Sequence, residues 1–137
     1  MKNYFIITLL LIASLNDIRS QVDNKISTLD FVQILDNNRE EAVYYYQNNW
    51  KILREKAIRE GFIHSYELLE THPSEAEPFD FILITTYKDQ QQYEKREENF
   101  DKLIGEIGQR KLLNEKQPSE FRKNLFFKEN VRHWKLE

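Results

Sequence analysis

The sequence contains no cysteine, and it has only three glycines, three prolines and three histidines among its 137 residues. Without cysteine the protein cannot form a disulfide framework, a zinc ribbon, a cysteine-held cluster or a thiol nucleophile. It also lacks a glycine-rich phosphate loop, a Gly-x-Ser-x-Gly elbow and a paired catalytic carboxylate signature. The sequence therefore carries no recognised catalytic motif, and its length predicts one domain, since domains usually have roughly 100–200 residues.

An excess of positive charge is also missing, because 20 lysines and arginines are outnumbered by 23 aspartates and glutamates, which gives a net charge of −3. Nucleic-acid binding needs a basic face, so we expect no nucleic-acid partner. What the chain does have is 40% hydrophobic and 13% aromatic residues. That content is too high for a disordered chain and is sufficient for one core.

The chain has one long apolar run, residues 4–15, which follows Lys2. A single positive charge before a short apolar stretch is typical of a secretory signal peptide, and the run is shorter than the roughly 20 residues that span a bilayer. We predict a signal peptide over residues 1–20 with cleavage before Gln21; a membrane anchor or a buried helix is the alternative. The mature protein would be exported, to the periplasm or the extracellular space, without a stable membrane span.

After a short lead over residues 21–27, periodicity predicts the order β-α-β-β-α-β over residues 28–127. The predicted strands are 28–36, 62–71, 79–87 and 121–127, and the predicted helices are 38–60 and 89–107. Two capping boxes, Asn38 with Glu41 and Asp89 with Gln92, would open the helices. Residues 128–137 are predicted to form a charged, loose tail.

Each predicted helix has one apolar stripe. The stripe of the first helix consists of Val43, Tyr46, Trp50, Leu53 and Ala57. That of the second consists of Tyr93, Phe100, Leu103, Ile104 and Ile107. The order of elements is the split βαβ arrangement, a four-stranded antiparallel sheet with both helices on one face, an α+β fold.

Several strands carry apolar residues on both faces, as residues 79–87 do. A strand of this kind is predicted to lie in the centre of the sheet. A large apolar face left open to water usually marks an interface. We therefore predict a homodimer that packs sheet to sheet.

The chain resembles the dimeric α+β barrel superfamily of ferredoxin-like domains, which includes the antibiotic-biosynthesis-type monooxygenases and the NIPSNAP-like proteins. The resemblance covers about residues 28–127 and is carried by the first strand, the helix with Trp50, the strand pair that follows and the helix over residues 93–107. The segment YYYQNNWKILREKAIREGFIHSYELLE also resembles uncharacterised exported bacterial proteins of this type. The resemblance implies a small-molecule pocket between the helices and the sheet or inside the barrel, with a chemistry that varies between families.

The candidate ligand pocket consists of Trp50, His64, Tyr66 and Tyr87. His64, which alternates with apolar residues, is the one candidate for a catalytic role. His72 and His133 lie in the loop and the tail, and none of the three histidines has metal-ligand spacing, so we expect no metal site. Some relatives bind haem through a histidine on a helix, but neither predicted helix contains histidine, and we expect no cofactor.

Three functions remain open at the level of sequence. The first is a homodimer that binds a small apolar or aromatic molecule without catalysis. The second is a cofactor-independent, monooxygenase-like enzyme in which His64, Trp50 and Tyr66 lie near the substrate. The third is a secreted protein-interaction module that uses the open face of the sheet.

Overall fold

One antiparallel sheet organises the structure, a computed structural model that describes residues 22–135. Its strands are β1 (Val22–Ile34), β2 (Ser65–Glu70), β3 (Phe81–Tyr87) and β4 (Arg122–Trp134). They lie in the order β2-β3-β1-β4, and every neighbouring pair is antiparallel. The predicted α+β class and four-stranded antiparallel sheet are confirmed, and the order is compatible with a ferredoxin-like fold. The predicted signal peptide lies outside the described residues.

The helices connect the strands in two groups. The helical elements are α1 (Arg39–Tyr45), a π-helical turn (Tyr46–Trp50), α2 (Lys51–Arg59), α3 (Gln90–Glu94), α4 (Arg96–Ile107) and the short α5 (Pro118–Phe121). The first three form one almost continuous helix, as predicted, which ends before Gly61 with its φ of 71°. The second predicted helix is divided between α3 and α4 and ends before Gly108, whose φ is 79°. Both glycines adopt a conformation that other residues reach only at a cost.

Only one of the two predicted capping boxes has an N-cap side chain that accepts a hydrogen bond from the backbone of the helix. Asp89 Oδ1 accepts a hydrogen bond from the backbone N–H of Gln92 at 2.8 Å. The cap predicted at Asn38 is wrong, because Asn38 Oδ1, the atom that would accept from the helix backbone, accepts from Lys116 Nζ instead. The Asn38 amide nitrogen donates to the backbone oxygen of Glu120 at 3.0 Å. The Glu41 carboxylate likewise accepts hydrogen bonds from Asn114 and Lys116, which lower its pKa to about 2. Partners that are distant in sequence thus displace the local cap.

The core lies between the helices and one face of the sheet. It forms two clusters of buried residues: Ile26, Ala57, Ile63, Tyr87, Tyr93 and Leu103 in one, and Val32, Ala42, Tyr46, Phe81, Leu83 and Phe121 in the other. The predicted stripe of the first helix is confirmed, since Tyr46 and Ala57 are buried and its other members pack against these clusters. The burial predicted for Ile104 and Ile107 is wrong, because these side chains are 53% and 38% exposed.

The C-terminal region differs most from the prediction. The last predicted strand, residues 121–127, is present as β4, although it begins one residue later because Phe121 ends α5. The predicted loose tail is wrong, because β4 continues to Trp134. Residues 22–27 of the predicted lead are part of β1, which begins at Val22 and pairs with the end of β4. Three shifts of register between β1 and β4 interrupt the alternation that sequence patterns rely on. Charged residues are compatible with β4 because it is an edge strand.

The second face of the sheet is apolar and lies opposite the helices. Phe31 and Phe126 stack on this face with ring centroids 4.3 Å apart. The same face carries Leu29, Leu69, Ile82 and Ile84, as the pairing register shows. β3 has a hydrogen-bonded neighbour on each side, so the predicted central position of this strand is confirmed.

Candidate ligand cavity between helices and sheet

A cavity of about 290 Å³ opens on the helix side of the sheet, near the β4 edge. The strands contribute Asp30, Val32, Leu83, Arg122 and Asn124, and the helices contribute Tyr45, Asn49, Trp50, Leu53, Arg54, Ile104 and Ile107. Gly108 and Arg110 complete the lining. The cavity therefore combines an aromatic and aliphatic wall with a small group of charged and amide side chains, which is the usual make-up of a ligand pocket.

The π-helical turn supplies one side of the cavity. π-helical turns inside helices are rare and frequently occur at functional sites. Here the turn carries Asn49 and Trp50 into the lining. Asn49 also fixes the connection after α4, because its side-chain amide donates to the backbone oxygen of Lys111 at 2.8 Å and accepts from the Lys111 N–H at 2.7 Å.

Arg54 is a partly buried cation that lines the cavity. Its guanidinium carbon lies 4.9 Å from the ring centre of Trp50 and 4.6 Å from that of Phe100. Its Nε donates a long hydrogen bond of 3.4 Å to Thr85 Oγ1. Burial lowers the pKa of Arg54 to about 10, so the side chain stays charged at neutral pH. Both rings lie within the distance at which a cation–π attraction is favourable.

Arg122 lies near two tyrosines at the start of β4. Its guanidinium carbon is 5.1 Å from the ring centre of Tyr45 and 5.7 Å from that of Tyr46. Nη1 donates to Asn124 Oδ1 at 3.2 Å. Arg122 Nε and the Tyr46 hydroxyl are both buried without a hydrogen-bond partner among residues 22–135. Burial raises the pKa of Tyr46 to about 12, which keeps its hydroxyl protonated.

Asp30 is the acidic residue of the cavity. Its position in β1 alternates with Ile26 and Val32, which places it on the helix side of the sheet. Burial raises its pKa, and the nearby charges of Arg54 and Arg122 oppose that shift only in part. A carboxyl group with a raised pKa in a cavity is a feature that functional sites often share.

A second groove, of about 430 Å³, lies on the other side of Trp50. Trp50 and Tyr66 meet there edge to face, with ring centroids 5.4 Å apart. Tyr46, Leu68 and Phe81 also line this groove. Trp50 therefore borders both spaces.

The structure brings together two of the four residues predicted for the pocket. Trp50 and Tyr66 are in contact, whereas Tyr87 is buried in the other cluster beside Tyr93 at a centroid distance of 5.5 Å. Burial raises the pKa of Tyr87 to about 12. His64 is exposed and lines neither space. β2 begins only at Ser65, so His64 precedes the alternation that was expected to turn it inward. A role for His64 stays a prediction.

The charged residues of the cavity were not predicted from the sequence. A lone aspartate between Thr28 and Val32 on the buried face of a strand was the available signal for Asp30. Arg54 follows Trp50 by four residues, so the two share a helix face. No local pattern singles out Arg122, since it lies in a run of charged and apolar residues.

Fold and cavity together define the class of protein: a small α+β chain with a ligand-sized cavity between the helices and an antiparallel sheet. No protein-family model matches the chain, and searches of curated proteins and of solved structures give no match. Within residues 22–135, no three histidines or acidic residues are grouped so that they could hold a metal ion. No helix in that range has the length and hydropathy of a membrane span.

Proposed function

We propose that the protein is an exported homodimer, with the dimeric α+β barrel fold, that binds a small apolar or aromatic molecule without catalysis. The observation that carries the binding function is the cavity beside Trp50. Its walls include Tyr45, Leu53, Ile104 and Ile107. The described lining residues include no serine, threonine or histidine.

The size of the cavity limits the ligand. Pockets for drug-sized molecules usually have about 300–1,000 Å³. A cavity of about 290 Å³ lies at the lower end of that range. It fits a molecule of one or two rings, which would cover the exposed side chains of Ile104 and Ile107.

Binding of an uncharged aromatic probe tests this function. We expect naphthamide to bind the purified protein, and we expect Ile107→Trp to weaken binding about tenfold or more, because the indole ring occupies part of the cavity. Isothermal titration calorimetry measures both affinities. The matched control is Ile58→Trp, a similarly exposed position that does not line the cavity. No binding, or equal binding by both tryptophan variants, would contradict the proposal.

The homodimer is supported by the open face of the sheet. One row across this face joins Glu67, Ile84, Leu29 and Lys128, as the pairing register shows. The next row joins Leu69, Ile82, Phe31 and Phe126. Each row has an apolar centre, and the ends of the first carry opposite charges. Contiguous apolar surfaces of this kind are typical of interfaces.

The opposite charges at the two ends of the first row favour one orientation of the two copies in the dimer. A two-fold axis parallel to the strands reverses the strand order in the second copy, so β2 lies over β4. Glu67 then faces Lys128 of the second copy, and symmetry creates this pair twice. The alternative two-fold axis lies in the plane of the interface and perpendicular to the strands. It would place β2 over β2 and β4 over β4 of the second copy.

A charge exchange tests the homodimer. We expect Lys128→Glu to weaken the dimer about tenfold, since it replaces two attractions by two repulsions, and we expect the added change Glu67→Lys to restore it. Sedimentation equilibrium measures the dissociation constants. A wild-type protein that stays monomeric over the accessible concentrations would refute the dimer. Failure of the double variant to recover would refute this orientation.

A further inference from the structure

We propose that the cavity binds a small aromatic or apolar monocarboxylate whose carboxylate is held by Arg54 and Arg122. This inference rests on the proposed binding function and adds the charge of the ligand. It follows from the charges of the lining, from the hydrogen-bond donors they leave available and from the apolar wall opposite them.

The cavity concentrates positive charge. Arg54, Arg110 and Arg122 line it together with a single acidic residue, Asp30, which leaves a charge of +2 when Asp30 is ionised. The chain as a whole has a net charge of −3. The sign of the cavity is therefore opposite to that of the chain, and an anion is the ligand that this local charge favours.

The two inner arginines lack acidic partners. Neither Arg54 nor Arg122 forms an ion pair with a carboxylate of residues 22–135. Arg96, by contrast, pairs with Glu129 at 3.1 Å. Partly buried charges are normally paired, and Asp30 is the single acidic residue of the lining, so the two guanidinium groups exceed the negative charge that the cavity itself supplies.

The guanidinium groups also keep donors free. A guanidinium has five N–H donors in its plane. Trp50 and Phe100 lie close to the Arg54 guanidinium, and the hydrogen bond to Thr85 uses only Nε. Arg122 Nε is itself buried, and Nη1 bonds to Asn124, so Nη2 is the donor of Arg122 that has no hydrogen bond to residues 22–135. Planar donors that remain available match a carboxylate, which accepts two parallel hydrogen bonds from a guanidinium.

The apolar side chains of the cavity determine the chemistry of the uncharged part of the ligand. Trp50, Leu53, Ile104 and Ile107 form an apolar wall. The two isoleucines are partly exposed in the absence of a ligand. A molecule with a carboxylate at one end and an aromatic ring or short aliphatic body at the other satisfies both parts of the site. Asp30 lies near the same arginines and would repel the carboxylate.

A pair of isosteric probes tests whether the cavity prefers a negatively charged ligand. Naphthoate and naphthamide share one shape, and only the first is an anion. We expect the full-length protein, studied by isothermal titration calorimetry, to bind naphthoate about tenfold more tightly than naphthamide. Arg122→Gln should remove most of this preference, because the carboxylate of naphthoate loses one of its two guanidinium partners, whereas naphthamide has no charge to be held. Asp30→Asn should strengthen naphthoate binding severalfold, because it removes the repelling charge.

The controls separate the possible failures. Arg59→Gln makes the same change of charge on α2 at an exposed position outside the cavity, and we expect it to keep the preference. Equal binding of the two probes by the wild-type protein would overturn the inference while the proposed function stands. Binding of neither probe would overturn both. If Arg122→Gln does not fold, as judged by circular dichroism, two results still test the inference. They are the preference of the wild-type protein for naphthoate over naphthamide and the stronger binding of naphthoate by Asp30→Asn.

Discussion

Phe121→Ala is expected to reduce the free energy of unfolding by about 3–5 kcal/mol, the usual cost of removing a large core aromatic side chain. Phe121 is 1% exposed and belongs to the cluster that joins β1, α1 and β3. Its backbone oxygen also accepts a hydrogen bond from Leu35 at 3.0 Å. The substitution would leave a void beside Tyr45, whose ring centre is 5.6 Å away. Urea denaturation followed by circular dichroism measures the loss.

The matched control is Phe127→Ala, six residues further along the chain. Phe127 is 62% exposed, so its removal should change the free energy of unfolding by no more than about 0.5 kcal/mol. Equal losses in the two variants would mean that Phe121 does not occupy the core.

A chain that ends at Phe127 is expected to be less stable by about 2–4 kcal/mol, because several net contributions of roughly 0.5–1.5 kcal/mol from strand hydrogen bonds disappear together. The missing half of β4 pairs with β1 from Val22 to Leu29. It also supplies His133, whose Nε2 is hydrogen-bonded to Ser27 Oγ at 2.8 Å. Thermal and urea denaturation measure the loss.

A chain that ends at Trp134 is the matched control for this truncation. It keeps all of β4, so we expect its unfolding midpoint to stay close to that of the full chain. If the two truncated chains are equally stable, residues 128–134 contribute no pairing energy and the tail is loose, as the sequence alone predicted.

The parts of the fold that sequence could predict are those set by local periodicity. The apolar alternation on both faces of β3 depends only on seven consecutive residues, and it gave the central position correctly. The stripe from Tyr46 to Ala57 is likewise a property of one helix. Asn38 illustrates the limit, because Lys116, which donates to its Oδ1, lies 78 residues away and competes with the local cap.

The same limit applies to β4 and to the cavity. The bulges between β1 and β4 arise from the pairing of two strands, so no single strand reveals them. Trp50 and Tyr66 could be predicted because aromatic residues on a stripe or strand face point to the core. Arg54 and Arg122 could not, since a charged residue in a single sequence usually indicates surface.

The position of β1 has a consequence for the order of folding. β1 lies between β3 and β4, and its hydrogen bond from Ser27 to His133 joins residues that are 106 positions apart. Contacts of such long sequence separation form late and slow folding, because a large loop must close before they give any stabilisation. The helix of residues 39–59 and the β2–β3 pair need only short loops. We therefore expect the sheet to be completed from its β2 edge towards β4, so that the cavity would acquire Arg122 last.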